Sequence, residues 1–198
     1  LELAQERLNE AQQQQVKQRQ RIHASGLPKG LQGLEWGEMR TEMERAEVIE
    51  AVQEWIYRGG GFFLHSARPG PGKTRLAATA CWHMLTHGFE TPTFVQSSVL
   101  FTKANADFSS DGRREAERIL LGSGPLFLDD LGKESNSQLT RQLLQACLDE
   151  RLENEQHIFI TSNMTAPQLG AHHGDWLASR LARFRHFRLP GPDMRLPV

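Results

Sequence analysis

The stretch that most limits what this chain can fold into is Ser66-Ala67-Arg68-Pro69-Gly70-Pro71-Gly72-Lys73-Thr74. An apolar run, Gly61-Phe62-Phe63-Leu64-His65, precedes it, and the helical pattern Arg75-Leu76-Ala77-Ala78-Thr79-Ala80-Cys81-Trp82 follows. Strand, Gly-rich turn and helix, in that order, form the context of a phosphate-binding loop. Successive backbone N–H groups and the positive end of the helix then converge on phosphate oxygens. Lys73 is expected to reach the β/γ-phosphates and the Thr74 hydroxyl to ligate Mg²⁺. The usual pattern has glycine where this chain has Ala67, which matters only if the backbone there needs a positive φ or a close approach. A Gly/Pro turn that happens to carry Gly-Lys-Thr is the bland alternative, and the rest of the chain must decide between them.

The second decisive stretch is Pro125-Leu126-Phe127-Leu128-Asp129-Asp130. A buried strand ending in two carboxylates puts acid at the C-terminal edge of a parallel sheet, where ligands bind in such folds. Asp129 would hold the Mg²⁺ shell and Asp130 would polarise an attacking water as general base. His157-Ile158-Phe159-Ile160-Thr161-Ser162-Asn163 reads as another strand ending in polar residues at the same edge, where Asn163 would orient the water or the γ-phosphate. Between these strands, Gln138 to about Asn154 is amphipathic, with Leu139, Leu143, Leu144, Cys147, Leu148 and Leu152 inward as core. Thr93–Gln96 reads as a short strand, Ser97–Phe108 and Arg113–Leu121 as helices, Asp175–Phe184 as a short helix and His186–Leu189 as a last strand. Strands alternating with helices predict a parallel sheet covered on both faces.

Upstream, Thr41-Glu42-Met43-Glu44 matches a capping box. The helix it opens carries Val48, Ile49, Val52, Trp55 and Ile56 on one face and ends at Gly59-Gly60-Gly61. Residues 1–24 are Gln- and charge-rich with a fading helical stripe, and read equally as a solvated helix or linker, or as a tether to a missing partner-binding domain. The chain begins with Leu1 rather than Met, so the natural protein is expected to extend further at its N-terminus. At 198 residues the remainder, 25–198, is expected to be one domain. A net charge of −1 gives no global field toward nucleic acid or membrane, although Arg180, Arg183, Arg185, Arg188 and Arg195 crowd the C-terminus. The two cysteines, Cys81 and Cys147, fall in predicted helices without metal-ligand spacing and read as buried thiols. No apolar run is long enough to span a membrane and no signal-peptide pattern appears, so the expected location is cytoplasmic, with no membrane partner.

These residues resemble the AAA+ ATPases of the bacterial replicative helicase-loader group (the DnaC/DnaI type) and the related IstB-type transposition helpers. The resemblance is carried by Ala67 to Thr74, Leu126-Phe127-Leu128-Asp129-Asp130-Leu131-Gly132-Lys133-Glu134, Ile160-Thr161-Ser162-Asn163, Ser179-Arg180-Leu181 and Gly191-Pro192-Asp193-Met194-Arg195. It implies an α/β P-loop NTPase (AAA+) three-layer fold with a parallel five-stranded sheet. It also implies ATP or ADP with Mg²⁺ as bound cofactors. Ala67, Arg68, Pro69, Gly70, Pro71, Gly72, Lys73, Thr74 and Arg75 would cradle the nucleotide, with Thr74 and Asp129 at the metal. Lys73, Asp130 and Asn163 would be catalytic, Arg180 an arginine finger acting in trans on a neighbouring copy, and Arg195 a sensor contacting the γ-phosphate in cis. Partners would be a hexameric replicative helicase, single-stranded DNA near Phe101, Lys103 and Arg113 or Arg114, and further copies of the chain. Hydrolysis would be slow and stimulated by DNA or by assembly.

Three departures stand out. Ala67 replaces a glycine, Asp130 stands where most AAA+ proteins have Glu, and little chain follows the last strand to build a helical lid. A transposition helper, and an adaptor that binds nucleotide but scarcely hydrolyses it, are the alternative readings.

Overall fold

The computed structural model describes residues 2–39, 43–106 and 111–191. Its elements run α1 (Glu2–Ala24), two short 3₁₀ turns (Lys29–Leu31 and Trp36–Met39), α2 (Met43–Arg58), β1 (Gly61–His65), α3 (Lys73–Thr86), β2 (Thr93–Gln96), α4 (Ser97–Ala106), α5 (Asp111–Leu120), β3 (Leu126–Leu131), α6 (Gln138–Glu153), β4 (Ile158–Ser162), α7 (Ala166–His173), α8 (Asp175–Leu181) and β5 (Arg185–Arg188). The expected capping box at residues 41–44 falls partly outside the described residues.

All five strands pair in parallel, in the order β2-β3-β4-β1-β5. Such a sheet is buried on both faces, so its strands read as apolar runs rather than as alternation. One face is covered by α2 and α3, which bury Val52, Trp55, Ile56, Leu76 and Met84 against it. The other is covered by α4 to α8 around Leu128, Ile160, Leu144 and Leu169. Both thiols are buried, and burial pushes the Cys147 thiol up to about 11.

On the α2/α3 face the sheet carries one phenylalanine per strand. Phe94, Phe127, Phe159, Phe62 and Phe187 stack in spatial order, with ring centroids 6.1, 5.6, 4.8 and 5.1 Å apart. Trp55 of α2 meets Phe62, Phe127 and Phe159 edge-on, and its indole N–H donates to the Gly60 carbonyl at 2.8 Å. Offset and edge-to-face aromatic pairs contribute beyond their area, so this row fixes register as well as burying surface.

The structure adds one helix that the sequence reading lacked. Thr165 and Gln168 close a capping box at the start of α7, with Pro167 in its first turn. The Thr165-Ala166-Pro167-Gln168 signature was available in the sequence. Among the described residues, α4 ends at Ala106, and α8 stops at Leu181 because the chain tightens there: the Phe184 amide donates to the Leu181 carbonyl at 2.8 Å. The last turns of α1 lie on the core through Gln18, whose amide donates to the Leu85 carbonyl at 3.0 Å, and Arg21, which donates to Thr91 at 3.1 Å.

At the N-terminal rim of the sheet, Arg151 of α6 is 1% exposed. Its guanidinium donates to the carbonyls of Leu120 (3.1 Å), Gly122 (2.7 Å), Gly124 (3.0 Å) and His157 (3.1 Å). Removing those donors strands buried acceptors at about 1–3 kcal/mol each. Arg151→Met is therefore expected to cost about 3 kcal/mol or more of stability in urea unfolding. A change within about 0.5 kcal/mol, the range of ordinary surface substitutions, would show that the carbonyls are satisfied otherwise.

Candidate active site

Lys73 is placed by the turn between β1 and α3. Gly70 and Gly72 hold φ of 98° and 99°, and Gly72 is the residue before the first helical turn. Left-handed backbone of this kind suits glycine and turns the first α3 amides toward the sheet edge. Ala67 needs no such freedom: among the described residues only Asp130 and Glu155 combine a side chain with positive φ. The missing glycine is therefore tolerated by the backbone. The Lys73 ammonium is buried and donates to Ser66 Oγ and Asn163 Oδ1, both at 2.7 Å.

The strand order explains the Asn163 contact, because β4 lies between β1 and β3 and delivers Asn163 between Lys73 and the carboxylates. Thr74 Oγ1, in the first turn of α3, lies 3.0 and 3.1 Å from the two oxygens of Asp129 on β3, and Thr161 Oγ1 donates to Asp129 Oδ1 at 2.6 Å. Burial raises the Asp129 pKa; hydrogen bonds from Thr161 and Thr74 oppose the shift, the Asp130 charge adds to it, and Lys73 opposes it. A β-bulge then intervenes: Leu128 pairs with Ile160 but Leu131 with Ser162, so β3 carries one extra residue. Asp130 sits in that bulge at φ 62°, its amide held by Thr161 Oγ1 at 2.9 Å. Its Oδ1 accepts from Asn163 Nδ2 at 3.0 Å, and its Oδ2 pairs with the Lys133 ammonium. In a regular strand neighbouring carboxylates would point to opposite faces; the bulge re-aims Asp130 so that both serve one edge.

Pro69, Gly70, Lys73, Thr74, Asp130 and Asn163 line a cavity of ≈ 340 Å³, large enough for a ligand the size of a nucleotide's phosphate chain. Arg75 borders it and is ion-paired with Glu38 at 2.5 Å. A second cavity of ≈ 760 Å³, toward β2 and α5, shares Thr74, Asp130 and Lys133 with it.

The family of IstB-like ATP-binding proteins matches residues 2–186. The chain belongs to that family. No curated protein matches it. Among solved structures, it is similar to DnaI, with a TM-score of 0.71 at 19% identity over 82% of this chain and 93% of that one. The DnaC helicase loader gives 0.61 at 20% identity, covering 75% and 90%. The replication initiator DnaA, bound to AMPPCP and single-stranded DNA, gives 0.71 at 16% identity, covering 84% and 51%. These likenesses establish the AAA+ fold expected from the sequence.

In this IstB-like chain the remaining expected residues fall as follows. Arg68 accepts the Ser66 hydroxyl through its carbonyl at 2.6 Å, and Pro71 lines a neighbouring crevice with Leu189. Arg180 is not among the cavity residues; it makes a two-point ion pair with Asp149 at 2.5 and 2.9 Å and lies over the Trp176 ring at 5.5 Å. Arg195 lies outside the described residues. Phe101 is wholly buried in the core, so its ring is not offered to a DNA base, whereas Lys103 is exposed, and Arg113 and Arg114 are exposed beside Glu117 and Asp111. Sequence reasoning missed the roles of Ser66, Thr161 and Lys133. Each sits within a quoted motif, but their contacts depend on which strands are neighbours.

The paired oxygens of Thr74 and Asp129 are a hard donor set that fits Mg²⁺. Among the described residues no group of three or more His, Cys, Asp or Glu could hold a metal, so phosphate and water would complete such a shell. Behind Asp130, the buried Glu134 carboxyl is held below the usual range: burial raises it, but hydrogen bonds from His173 and Ser97 outweigh that. A lowered folded-state pKa stabilises above the unfolded value of about 4.5, and the contribution disappears as pH falls through the folded value. Acid unfolding of Glu134→Gln is accordingly expected to show a shallower loss of stability below about pH 4.5 than wild type, measured as urea midpoints across pH. Parallel profiles would mean that Glu134 keeps its ordinary pKa.

Proposed function

We propose that this chain is an ATP-dependent loader of a replicative DNA helicase, hydrolysing ATP with Mg²⁺ and engaging single-stranded DNA and the helicase ring. The observation that carries the ATPase reading is the chain of contacts from Lys73 through Asn163 to Asp130 at the edge of a family-typical ATP-binding fold. The loader reading is supported by likeness to DnaI and DnaC over most of their lengths.

In this reading the backbone amides of Gly70, Gly72, Lys73 and Thr74 and the Lys73 ammonium bind the phosphates. Mg²⁺, held by Thr74 and Asp129, would offset charge on the phosphate oxygens. Asn163 steadies the Asp130 carboxylate and Lys73 at once. Asp130 takes the proton of the water that attacks the γ-phosphorus as the bond to ADP breaks, giving ADP and inorganic phosphate. Its Oδ2 is paired with Lys133, so Lys133, whose side chain is 56% exposed, swings toward solvent for that step. Arg180, paired with Asp149 in the free chain, is assigned to a neighbouring copy's γ-phosphate and would leave that pair on assembly. Arg195 is assigned to the γ-phosphate in cis. DNA contact is assigned to Lys103, Arg113 and Arg114. Residues 1–24 are assigned as the tether of a partner-binding part, and 25–198 as the ATPase domain.

Two other readings have observations behind them. Membership of the IstB-like family favours, through the resemblance to IstB-type transposition helpers, a helper with the same ATPase core, and a pulldown with the cognate helicase hexamer separates the two. The full occupation of both Asp130 oxygens favours a nucleotide-binding adaptor with little hydrolysis.

The test is steady-state ATP hydrolysis with and without single-stranded DNA, for wild type and Arg180→Ala. DNA stimulation that rises with protein concentration and falls at least about tenfold in Arg180→Ala is expected, fingers being worth up to several orders of magnitude. A concentration-independent rate unchanged in the variant removes Arg180 from its role. Tight ATP binding without hydrolysis, even with helicase present, selects the adaptor.

A further inference from the structure

Glu134 lies just past the Asp130 bulge, and its side chain, like that of His173, is 0% exposed. A buried carboxylate is costly unless hydrogen bonds satisfy it. Here the Gly132 amide lies 3.0 and 3.1 Å from its two oxygens, Ser97 Oγ lies 2.7 Å from Oε2, and His173 Nε2 lies 2.7 Å from Oε1. Ser97, the first residue of α4, also reaches the carbonyl of Asp130 itself at 2.9 Å. His173 Nδ1 is buried with no hydrogen-bond partner, so the ring meets its surroundings through Nε2, which donates to Glu134. The loop between Asp130 and Glu134 is pressed against α7: Gly132 has φ 103°, and a Cβ there would come within 2.6 Å of Met164 Sδ and 2.9 Å of Leu169 Cδ2.

The contacts continue beyond His173. Its carbonyl accepts the Trp176 indole N–H at 2.9 Å, and Trp176 in turn gives Arg180 both a carbonyl, at 3.3 Å, and a ring face. The order Ser97, Glu134, His173 is not that of a nucleophilic triad, because Ser97 and His173 each bond to the carboxylate and not to one another.

We propose that Glu134 is a positioning residue for ATP hydrolysis, its buried carboxylate clasping the Asp130 loop to α4 and, through His173, to the helix pair that carries Arg180. The proposal rests on the ATPase reading above. Glu134 is buried and does not line the cavity; it acts by fixing the backbone on either side of Asp130, which sits in left-handed backbone at φ 62°. Misplacing a catalytic group by about an ångström costs up to roughly a hundredfold in rate. A Gln at 134 keeps the shape but turns an NH₂ toward one of the donors that now face a carboxylate oxygen.

The experiment measures kcat, equilibrium ATP affinity and thermal midpoint for wild type, Glu134→Gln, His173→Leu and His173→Gln. Glu134→Gln and His173→Leu are expected to lower kcat by roughly tenfold or more while ATP affinity stays within about twofold. His173→Gln, whose amide can place an N–H near Nε2, is expected to recover most of the rate lost in His173→Leu. Lowered midpoints with wild-type kcat below the transition would make the clasp purely structural and overturn the proposal. So would an equal loss in both His173 variants, or a loss of affinity in parallel with rate. Should Glu134→Gln fail to fold, the His173 pair decides. A wild-type chain that does not hydrolyse ATP removes the ATPase reading and the positioning role with it, whereas an active wild type with unaffected variants removes the positioning role alone.

Discussion

The row of phenylalanines from Phe94 to Phe187 is the contact on which the rest depends. Side chains in a strand alternate faces, so slipping any strand by one residue would throw its phenylalanine onto the α4–α8 face and its polar terminus out of line. With the rings stacked beneath Trp55, the ends of β1, β3 and β4 lie level, and Lys73, Asp129, Asp130 and Asn163 meet. The register is apolar work, and the chemistry at the edge inherits its precision from it.

The second constraint is local and unfavourable. Asp130 occupies left-handed backbone that side chains normally avoid, at a bulge that breaks the ladder between β3 and β4. Thr161 answers both problems, holding the Asp130 amide and the Asp129 carboxylate with a single hydroxyl. Strain of this kind persists only where neighbours over-determine it, and a buried ring of donors and acceptors does so here.

Much of this was legible in the chain. Gly70-Pro71-Gly72-Lys73-Thr74 after Phe62-Phe63-Leu64, and Asp129-Asp130 after Leu126-Phe127-Leu128, declare a strand–turn–helix and an acidic strand end because each motif is contiguous and its signal local. The inward face of α6 followed from helical periodicity, and the parallel sheet from the alternation of elements. What stayed hidden depends on which strands are neighbours. The insertion of β4 between β1 and β3 puts Asn163 against both Lys73 and Asp130, and nothing in the linear order of the residues shows it. Phe101 misled for a related reason, since an aromatic in a short helix beside basic residues gives the same signal whether it faces solvent or core. Arg151 was invisible as well: a lone arginine in a charged helix end reads as solvated until the carbonyls it meets are known.

Those carbonyls give Arg151 a dynamic consequence. Its guanidinium ties the α5–β3 junction at Leu120, Gly122 and Gly124 to the α6–β4 junction at His157, segments about 35 residues apart in sequence. Opening either junction breaks its bonds to the same buried guanidinium, so amides on both are expected to exchange with water more nearly as one cooperative unit than as two fraying loops. The sheet is thus riveted along one rim by a single side chain, opposite the edge where the cavity lies.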